Sequence, residues 1–135
     1  MKEKTKWIML IIVVLISLIT IFMNQPVETK KEIRHNTTHK EEDIDKIMDE
    51  AIESYEETSI KVLSVYYDDQ KSRATEAEYM KKEEYQEVII VFVEFHTGFF
   101  HVPTGLGENQ HYIDFAHIYG QDLQGQWEWI DGGYL

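Results

Sequence analysis

An uninterrupted apolar run from Trp7 to Met23 constrains this protein more than any other feature of its sequence. As an α-helix it spans roughly 25 Å, at about 1.5 Å per residue, which approaches the hydrocarbon thickness of a membrane. Ser17 and Thr20 are its only polar residues, and it contains no charged residue. Because the run has no polar face to turn toward water, we predict a membrane-spanning helix over residues 7–23 that contacts the lipid bilayer.

The residues on either side of this run predict its orientation in the membrane and whether it is cleaved off. Three lysines lie within residues 1–6, and basic residues beside a spanning helix stay in the cytoplasm, which places the rest of the chain outside. Residues 24–28 contain no small-residue cleavage motif of the A-x-A type. We therefore predict an uncleaved signal anchor in the cell membrane. The alternative is a leader that is cut after Ser17 or near Asn24.

The chain beyond the apolar run is strongly acidic. The whole chain has a formal charge of −12, and residues 1–6 hold three lysines and one glutamate, so the remainder carries −14. Such a surface repels nucleic acid, and we predict no nucleic-acid partner. No Lys or Arg follows Lys82 and no Ser follows Ser72. The C-terminal half therefore has no basic clamp for a phosphate group and no serine nucleophile, and no motif indicates a cofactor.

The polar composition after the apolar run indicates a stalk followed by one domain. Residues 24–38 are polar, mixed in charge and without periodicity. The remaining length suits a single small domain. We predict a cytoplasmic basic flank at 1–6, the anchor at 7–23, a polar stalk at 24–38 and an extracytoplasmic domain at 39–135.

The domain begins with a pattern that predicts an amphipathic helix over about residues 40–57. Thr38 and Glu41 have the spacing of a capping box, and acidic residues fill the first turns. The apolar residues of this segment recur every three or four positions, which places them on one side of a helix. They are Ile44, Ile47, Met48, Ala51, Ile52 and Tyr55.

The rest of the domain is rich in alternating β-branched and aromatic residues, which is typical of strands. Residues 72–84 fit either a short helix or an irregular crossing, and the glycine-rich segment 98–109 predicts a loop. The fold class is therefore α+β, with one long helix packed on a curved antiparallel sheet of about four strands. The predicted strands are 60–67, 85–97, 110–119 and 126–131, the last two joined by a turn at 121–125.

The end of the chain resembles a known group of proteins. The ending "GQWEWIDGGY", which follows the strand "YQEVIIVFVEFHT", resembles that of small membrane-anchored bacterial proteins in which Trp-x-x-x-Asp-x-Gly-Tyr follows a strand. One helix against a bent four-stranded sheet is also the outline of cystatin-like and NTF2-like domains. The resemblance covers about residues 40–135 and implies an extracytoplasmic domain of that kind, but no catalytic residues. The chain departs from it in the last hairpin, where Gln, His and acidic residues replace the expected lysines and arginines.

Histidines and acidic residues on two predicted strands raise the question of a metal site. Strand alternation places Glu94 and His96 on one face with Val88, Ile90 and Phe92, and it places His111, Ile113, Phe115 and His117 on one face of the next strand. His96 and His111 are the candidate ligands that pairing around the loop would bring together. Their spacing matches no zinc signature, so we predict no metal site and leave a metal-binding module as an alternative.

Two further hypotheses concern acid–base chemistry and binding. Glu94, His96 and Asp114 are the candidate catalytic residues of a small extracytoplasmic hydrolase or isomerase, a hypothesis that requires them to converge in a dry pocket. The aromatic residues are numerous, and Trp127 and Trp129 share one face of the last strand. We predict that most of them form the core and that an aromatic sheet face takes a protein or small ligand. Binding or envelope accessory work is therefore our predicted function, with catalysis as the alternative.

Overall fold

The computed structural model describes residues 2–23, 28–82 and 84–135. These ranges contain three helices and five strands, so the α+β class predicted from the sequence is confirmed. The sheet has five strands rather than about four. In chain order the elements are α1 (Lys2–Met23), β1 (Lys30–His35), α2 (Glu41–Glu53), β2 (Lys61–Asp68), α3 (Asp69–Lys82), β3 (Glu87–His96), β4 (His111–Gln121) and β5 (Trp127–Gly133).

Helix α1 contains the predicted apolar run. None of its residues is buried, and it is long and apolar enough to cross a membrane, a property that it shares with signal sequences. The two hydroxyl groups within the run do not interrupt its apolar surface, because Ser17 donates to the carbonyl of Val13 and Thr20 to that of Ile16, each at 2.8 Å. From Trp7 to Met23 the helix therefore presents apolar side chains and internally bonded hydroxyl groups.

The five strands lie side by side in the order in which they occur in the chain. Strand β1 is parallel to β2, and the other neighbours are antiparallel. Strand β1 lies within the segment for which we predicted a polar stalk, and that prediction is corrected for residues 30–35. Alternation did not reveal the strand because Ile33 is its only apolar residue. The first stalk residues, 24–27, lie outside the described residues.

Helix α2 packs on one face of the sheet through the predicted apolar stripe. Ile44, Ile47, Met48 and Ala51 are buried and contact the apolar side chains of β2 and β3. The capping box is not formed, because Lys40 is the N-cap residue and makes no side-chain cap bond. The helix is also shorter than predicted, since turns replace it after Glu53.

Helix α3 lies on the opposite face of the sheet and resolves the ambiguous segment 72–84 as helical through Lys82. Tyr79 and the following Tyr85 pack on a second apolar cluster that includes Val88 and Ile90 of β3. Glu76 reaches the sheet itself, since one of its oxygens accepts the backbone N–H of Ile90 at 3.2 Å. The sheet is thus covered by α2 on one face and partly by α3 on the other.

Candidate functional site

A bulge in β4 decides which candidate residues share a face. Pairing between β3 and β4 shifts register between Val93 and Phe95, and Asp114 has a positive φ of 57°. An extra residue in one strand reverses the alternation beyond it. His111 consequently faces the α3 side, whereas His117 faces α2, and the predicted common face for these two residues is wrong.

The predicted candidates on β3 and β4 meet at the end of the sheet that α3 leaves open. Glu94 accepts hydrogen bonds from His111 Nε2 at 2.8 Å and from the Ser64 hydroxyl at 3.1 Å. His96 lies opposite His111 as predicted, and its Nε2 is 2.9 Å from the side-chain oxygen of Asn109. These side chains are partly exposed, so they form a solvated hydrogen-bonded row rather than a dry pocket.

Asp114 lies on the same open face but belongs to a different cluster. It accepts a hydrogen bond from the Tyr66 hydroxyl and forms an ion pair with Lys71 at 3.0 Å. The hydrogen bond from Tyr66 lowers the pKa of Asp114, and Lys71 lowers it further. Arg34 completes the cluster, with its guanidinium carbon 3.6 Å from the centre of the Tyr66 ring. A carboxylate stabilised in this way remains ionised and is a weak base.

The two histidines proposed as metal ligands are neighbours but do not converge with a third ligand. The ring centres of His96 and His111 are 6.4 Å apart, and each ring bonds to a different oxygen. Among residues 2–23, 28–82 and 84–135, no group of three or more His, Asp or Glu side chains is arranged to hold a metal ion.

His39, whose side chain is largely buried, lies between two carboxylates and beside a cavity, an arrangement that the sequence did not predict. His39 Nε2 is 3.0 Å from Glu76, and its Nδ1 donates to Glu87. His39 can donate to both carboxylates only when both of its ring nitrogens carry protons, so this arrangement favours the cationic ring. Burial lowers the pKa of His39, but Glu76 and Glu87 outweigh this effect and raise it above its ordinary value. The cavity measures about 510 Å³, and Met80 contributes to its apolar wall.

This cluster joins three parts of the chain, which indicates a structural role. His39 precedes α2, Glu76 is in α3 and Glu87 begins β3. Since both nitrogens of His39 are engaged, the ring has no free site for accepting a proton. The cluster was missed because its members are 37 and 48 residues apart in sequence, and no local pattern connects them.

A second buried histidine, His117, lies in the core under α2. It is 6% exposed, its Nε2 bonds to the Tyr55 hydroxyl, and its Nδ1 has no hydrogen-bond partner among the described residues. Burial lowers the pKa of His117 to about 4. The imidazole is therefore neutral at physiological pH and behaves as a core side chain.

Five aromatic residues form a partly exposed surface on the α2 side of β4 and β5, and we call this surface the aromatic shelf. Helix α2 contacts β2 and β3, so the shelf lies beyond the edge of the helix. The ring of Phe115 contacts two others, with centres at 6.2 Å and 5.6 Å. Trp129 is 57% exposed. The shelf consists of Tyr112, Phe115, Trp127, Trp129 and Tyr134.

Two rings of the shelf lie next to Gly132 in β5. A side-chain carbon at Gly132 would lie 3.5 Å from Trp129 Cζ2 and 3.6 Å from Phe115 Cε1. Trp127 is the more buried tryptophan and packs against the core, as its shared face with Trp129 predicted. The sequence thus predicted an aromatic face, and the structure places it on β4 and β5.

Comparison of the chain with protein-family models, curated proteins and solved structures found no match in any of the three. Function is therefore inferred from the arrangement of the described residues alone.

Proposed function

We propose that this protein is a single-pass membrane protein whose extracytoplasmic domain binds a basic, extended segment of another protein on the aromatic shelf. The observation that carries this proposal is the exposed aromatic surface of β4 and β5, which reaches the end strand of the sheet and lies near acidic side chains of α2. The anchor, the shelf, the charge and the strand edge each support one part of it.

The membrane location is supported by the properties of α1. Its apolar part, Trp7 to Met23, spans about 25 Å, close to a hydrocarbon core of about 30 Å, and the lysines before it can extend to the interface. Ser17 and Thr20 bond back to the helix backbone, as a lipid environment requires. The lysines before Trp7 favour a cytoplasmic N-terminus and an extracytoplasmic domain.

Binding by the aromatic shelf is supported by the composition of its exposed part. Aromatic side chains are enriched in the energetically important centres of protein interfaces. Trp129 and Tyr134 are 57% and 63% exposed, and they flank the half-buried Phe115. A contiguous apolar surface of this kind marks an interaction site more often than isolated exposed residues do.

The charge around the shelf favours a basic partner. Glu50 lies close enough to Tyr119, beside the shelf, to add to the rise in pKa that burial causes in that tyrosine. Glu53, three residues further on, shares this side of α2. Strands β4 and β5 and the turn between them contain no Lys or Arg. Cationic side chains therefore find both acidic groups and aromatic rings on this side of the domain.

The edge of β5 favours an extended partner. Strand β1, at the other end of the sheet, carries Lys30, Lys31 and Arg34, and such charges discourage the addition of another strand. Strand β5 has no basic residue and is the other end strand of the sheet, where an extended segment can pair with an edge. An extended segment at this edge would place alternate side chains on the rings of Trp127 and Trp129.

The cystatin-like or NTF2-like identity of the domain remains part of this proposal. A helix laid across antiparallel strands supports it. The parallel strand β1 and the helix α3 between β2 and β3 are additions to the four-stranded outline.

The anchor is tested by measuring the intact mass of the chain extracted from membranes. We expect the full-length mass, because residues 24–28 contain no A-x-A motif. A mature chain that begins near Asn24 would show that the apolar helix is a leader and would refute the anchored form of the proposal.

The binding surface is tested by titrating the full chain in lipid nanodiscs with a nine-residue peptide of alternating Arg and Val. Trp129→Ser should weaken binding about tenfold, since one cation–π contact contributes on the order of 1–2 kcal/mol. Leu123→Ser is the matched control, because Leu123 is 63% exposed and lies in the β4–β5 turn rather than on the shelf. Binding should also weaken with salt.

A peptide in which Glu replaces Arg tests the predicted charge preference. We expect no measurable binding of this peptide to the acidic domain. Equal binding of the two peptides, or equal effects of Trp129→Ser and Leu123→Ser, would contradict the proposed shelf.

A further inference from the structure

The loop between β3 and β4 has a firmly held base. The buried Thr97 hydroxyl donates to the carbonyl of Gly107 at 2.6 Å and accepts the N–H of Gln110 at 2.8 Å. Gly98 packs so closely on Ser59 that a side-chain carbon would lie 2.7 Å from Ser59 Cβ. The base therefore fixes the direction in which the loop leaves the sheet.

Two adjacent phenylalanines project from this base. Phe99 is 62% exposed and Phe100 is 79% exposed, although both follow a fully buried threonine. Glu108 is the only acidic residue in the segment 97–110, which contains no Lys or Arg. In a domain of such negative charge, this segment presents an apolar and nearly uncharged tip.

The loop lies at the end of the sheet to which α1 is tethered. The Thr29 hydroxyl donates to the carbonyl of Val62 at 3.0 Å, near the start of β2. Lys61, at that start, pairs with His96, the last residue of β3 before the loop. The link from Met23 to Thr29 spans at most about 20 Å in any conformation. The Phe99–Phe100 end of the domain is therefore held close to the surface from which α1 emerges.

We infer that Phe99 and Phe100 insert into the interfacial region of the bilayer that holds α1. This inference rests on the proposed membrane anchor. Phenylalanine is among the apolar side chains that bury at the boundary between headgroups and acyl chains, and a short tether keeps these two residues at high local concentration there. The bilayer contact gives the domain a second point of attachment, which fixes its orientation above the membrane.

The charges around the loop are compatible with contact to zwitterionic lipid. Acidic residues exceed basic ones at this end of the sheet, where Glu28, Glu56, Glu57 and Glu108 lie near Lys30 and Lys61. Zwitterionic lipid carries no net charge, so the apolar tip rather than charge supplies the attraction. Phosphatidylcholine is therefore the appropriate probe membrane.

The inference is tested with single cysteines, since the chain contains none of its own. Phe100→Cys is labelled with an environment-sensitive fluorophore, and the full chain is reconstituted into phosphatidylcholine vesicles that contain spin-labelled lipid. Leu123→Cys is the matched control, because it is similarly exposed and lies at the other end of β4, about 33 Å away along the strand. Ile12→Cys reports on the anchor.

We expect the label at position 100 to be blue-shifted and to lose about half of its fluorescence to lipid quenching, as interfacial depth implies. The label at 123 should behave as in water. If the label at position 12 is quenched and the label at position 100 is not, the anchor is supported and the contact between the loop and the bilayer is refuted. A protein would then be the remaining partner for the exposed loop. Equal quenching at 100 and 123 overturns the proposed orientation. An unquenched label at 12 refutes the anchor and the loop contact together.

Discussion

Lowering the pH from 8 to 5 should destabilise the domain through His117. Burial lowers the pKa of this histidine from 6.5 to about 4 in the folded protein. Below pH 6.5 the unfolded chain binds a proton that the folded chain does not bind, so stability falls as the pH falls. The folded protein regains the proton only near pH 4, which places the loss between about pH 7 and pH 4.

The magnitude of this loss depends on the two pKa values. With a pKa of 6.5 for His117 in the unfolded state and about 4 in the folded state, proton linkage lowers the free energy of unfolding by about 2 kcal/mol between pH 8 and pH 5. That is a substantial part of the 5–15 kcal/mol by which small domains are usually stable. The burial of His117 among Tyr55, Phe115 and Tyr119 is the physical cause.

The assay is urea unfolding of the full chain in mild detergent, followed by the fluorescence of Trp127 and Trp129 in a Trp7→Phe background. His117→Gln is the informative variant, because its amide does not titrate and still bonds to a neighbouring hydroxyl. Wild type and variant share all carboxylates, so the difference between their pH profiles isolates the histidine. We expect the wild-type loss to exceed that of the variant by about 2 kcal/mol.

Parallel pH profiles for the two proteins would refute this reasoning, since they would show that His117 titrates alike in the folded and unfolded states. The titration of its ring proton signals by NMR provides an independent check. A midpoint near pH 6.5 in the folded protein, rather than about 4, would lead to the same conclusion.

Three further predictions concern other parts of the domain. His39→Gln should change the pH dependence of stability in the direction opposite to His117→Gln in the same assay. The raised pKa of His39 stabilises the fold fully below pH 6.5 and less as the pH rises. The variant should therefore lose less stability than the wild type when the pH is raised. Ile47→Asp buries a charge under α2, so it should cost several kcal/mol and abolish the folded circular dichroism signal of the domain. Lys46→Asp, on the exposed side of α2, should change the urea midpoint of unfolding little. Similar effects of the two variants would mean that the buried face of α2 is assigned wrongly. Gly120→Ala should destabilise by about 1–3 kcal/mol in urea, because the new carbon would lie 2.6 Å from Tyr85, and unchanged stability would mean that this ring moves freely.

Local periodicity was sufficient for the elements that repeat a simple pattern. The apolar helix, the stripe on α2 and the strands β2 to β5 each contain apolar residues at the spacing that their own geometry requires. The pairing of His96 with His111 was also predictable, because the two residues lie at the facing ends of consecutive strands. Strand β1 was not predictable, since it carries polar residues on both faces. Helix α3 was ambiguous because it has almost no apolar side.

The candidate site depended on contacts that sequence spacing does not encode. One residue in the left-handed conformation, Asp114, reverses the alternation of β4 and separates His111 from His117. The cluster around His39 joins three distant segments, and the pKa of His39 is raised only when those segments pack together.

The sequence by itself determined that the chain has an apolar anchor-like helix, an acidic domain without disulfides and an aromatic ending on the last strands. Only the tertiary structure decided which aromatic rings remain exposed, because α2 packs mainly on β2 and β3 and leaves part of this side of β4 and β5 uncovered. It likewise decided that Phe99 and Phe100 share an end of the sheet with the tether. Composition determines which side chains are apolar and favour burial, whereas the relative placement of helices and strands determines which of these side chains remain exposed to solvent.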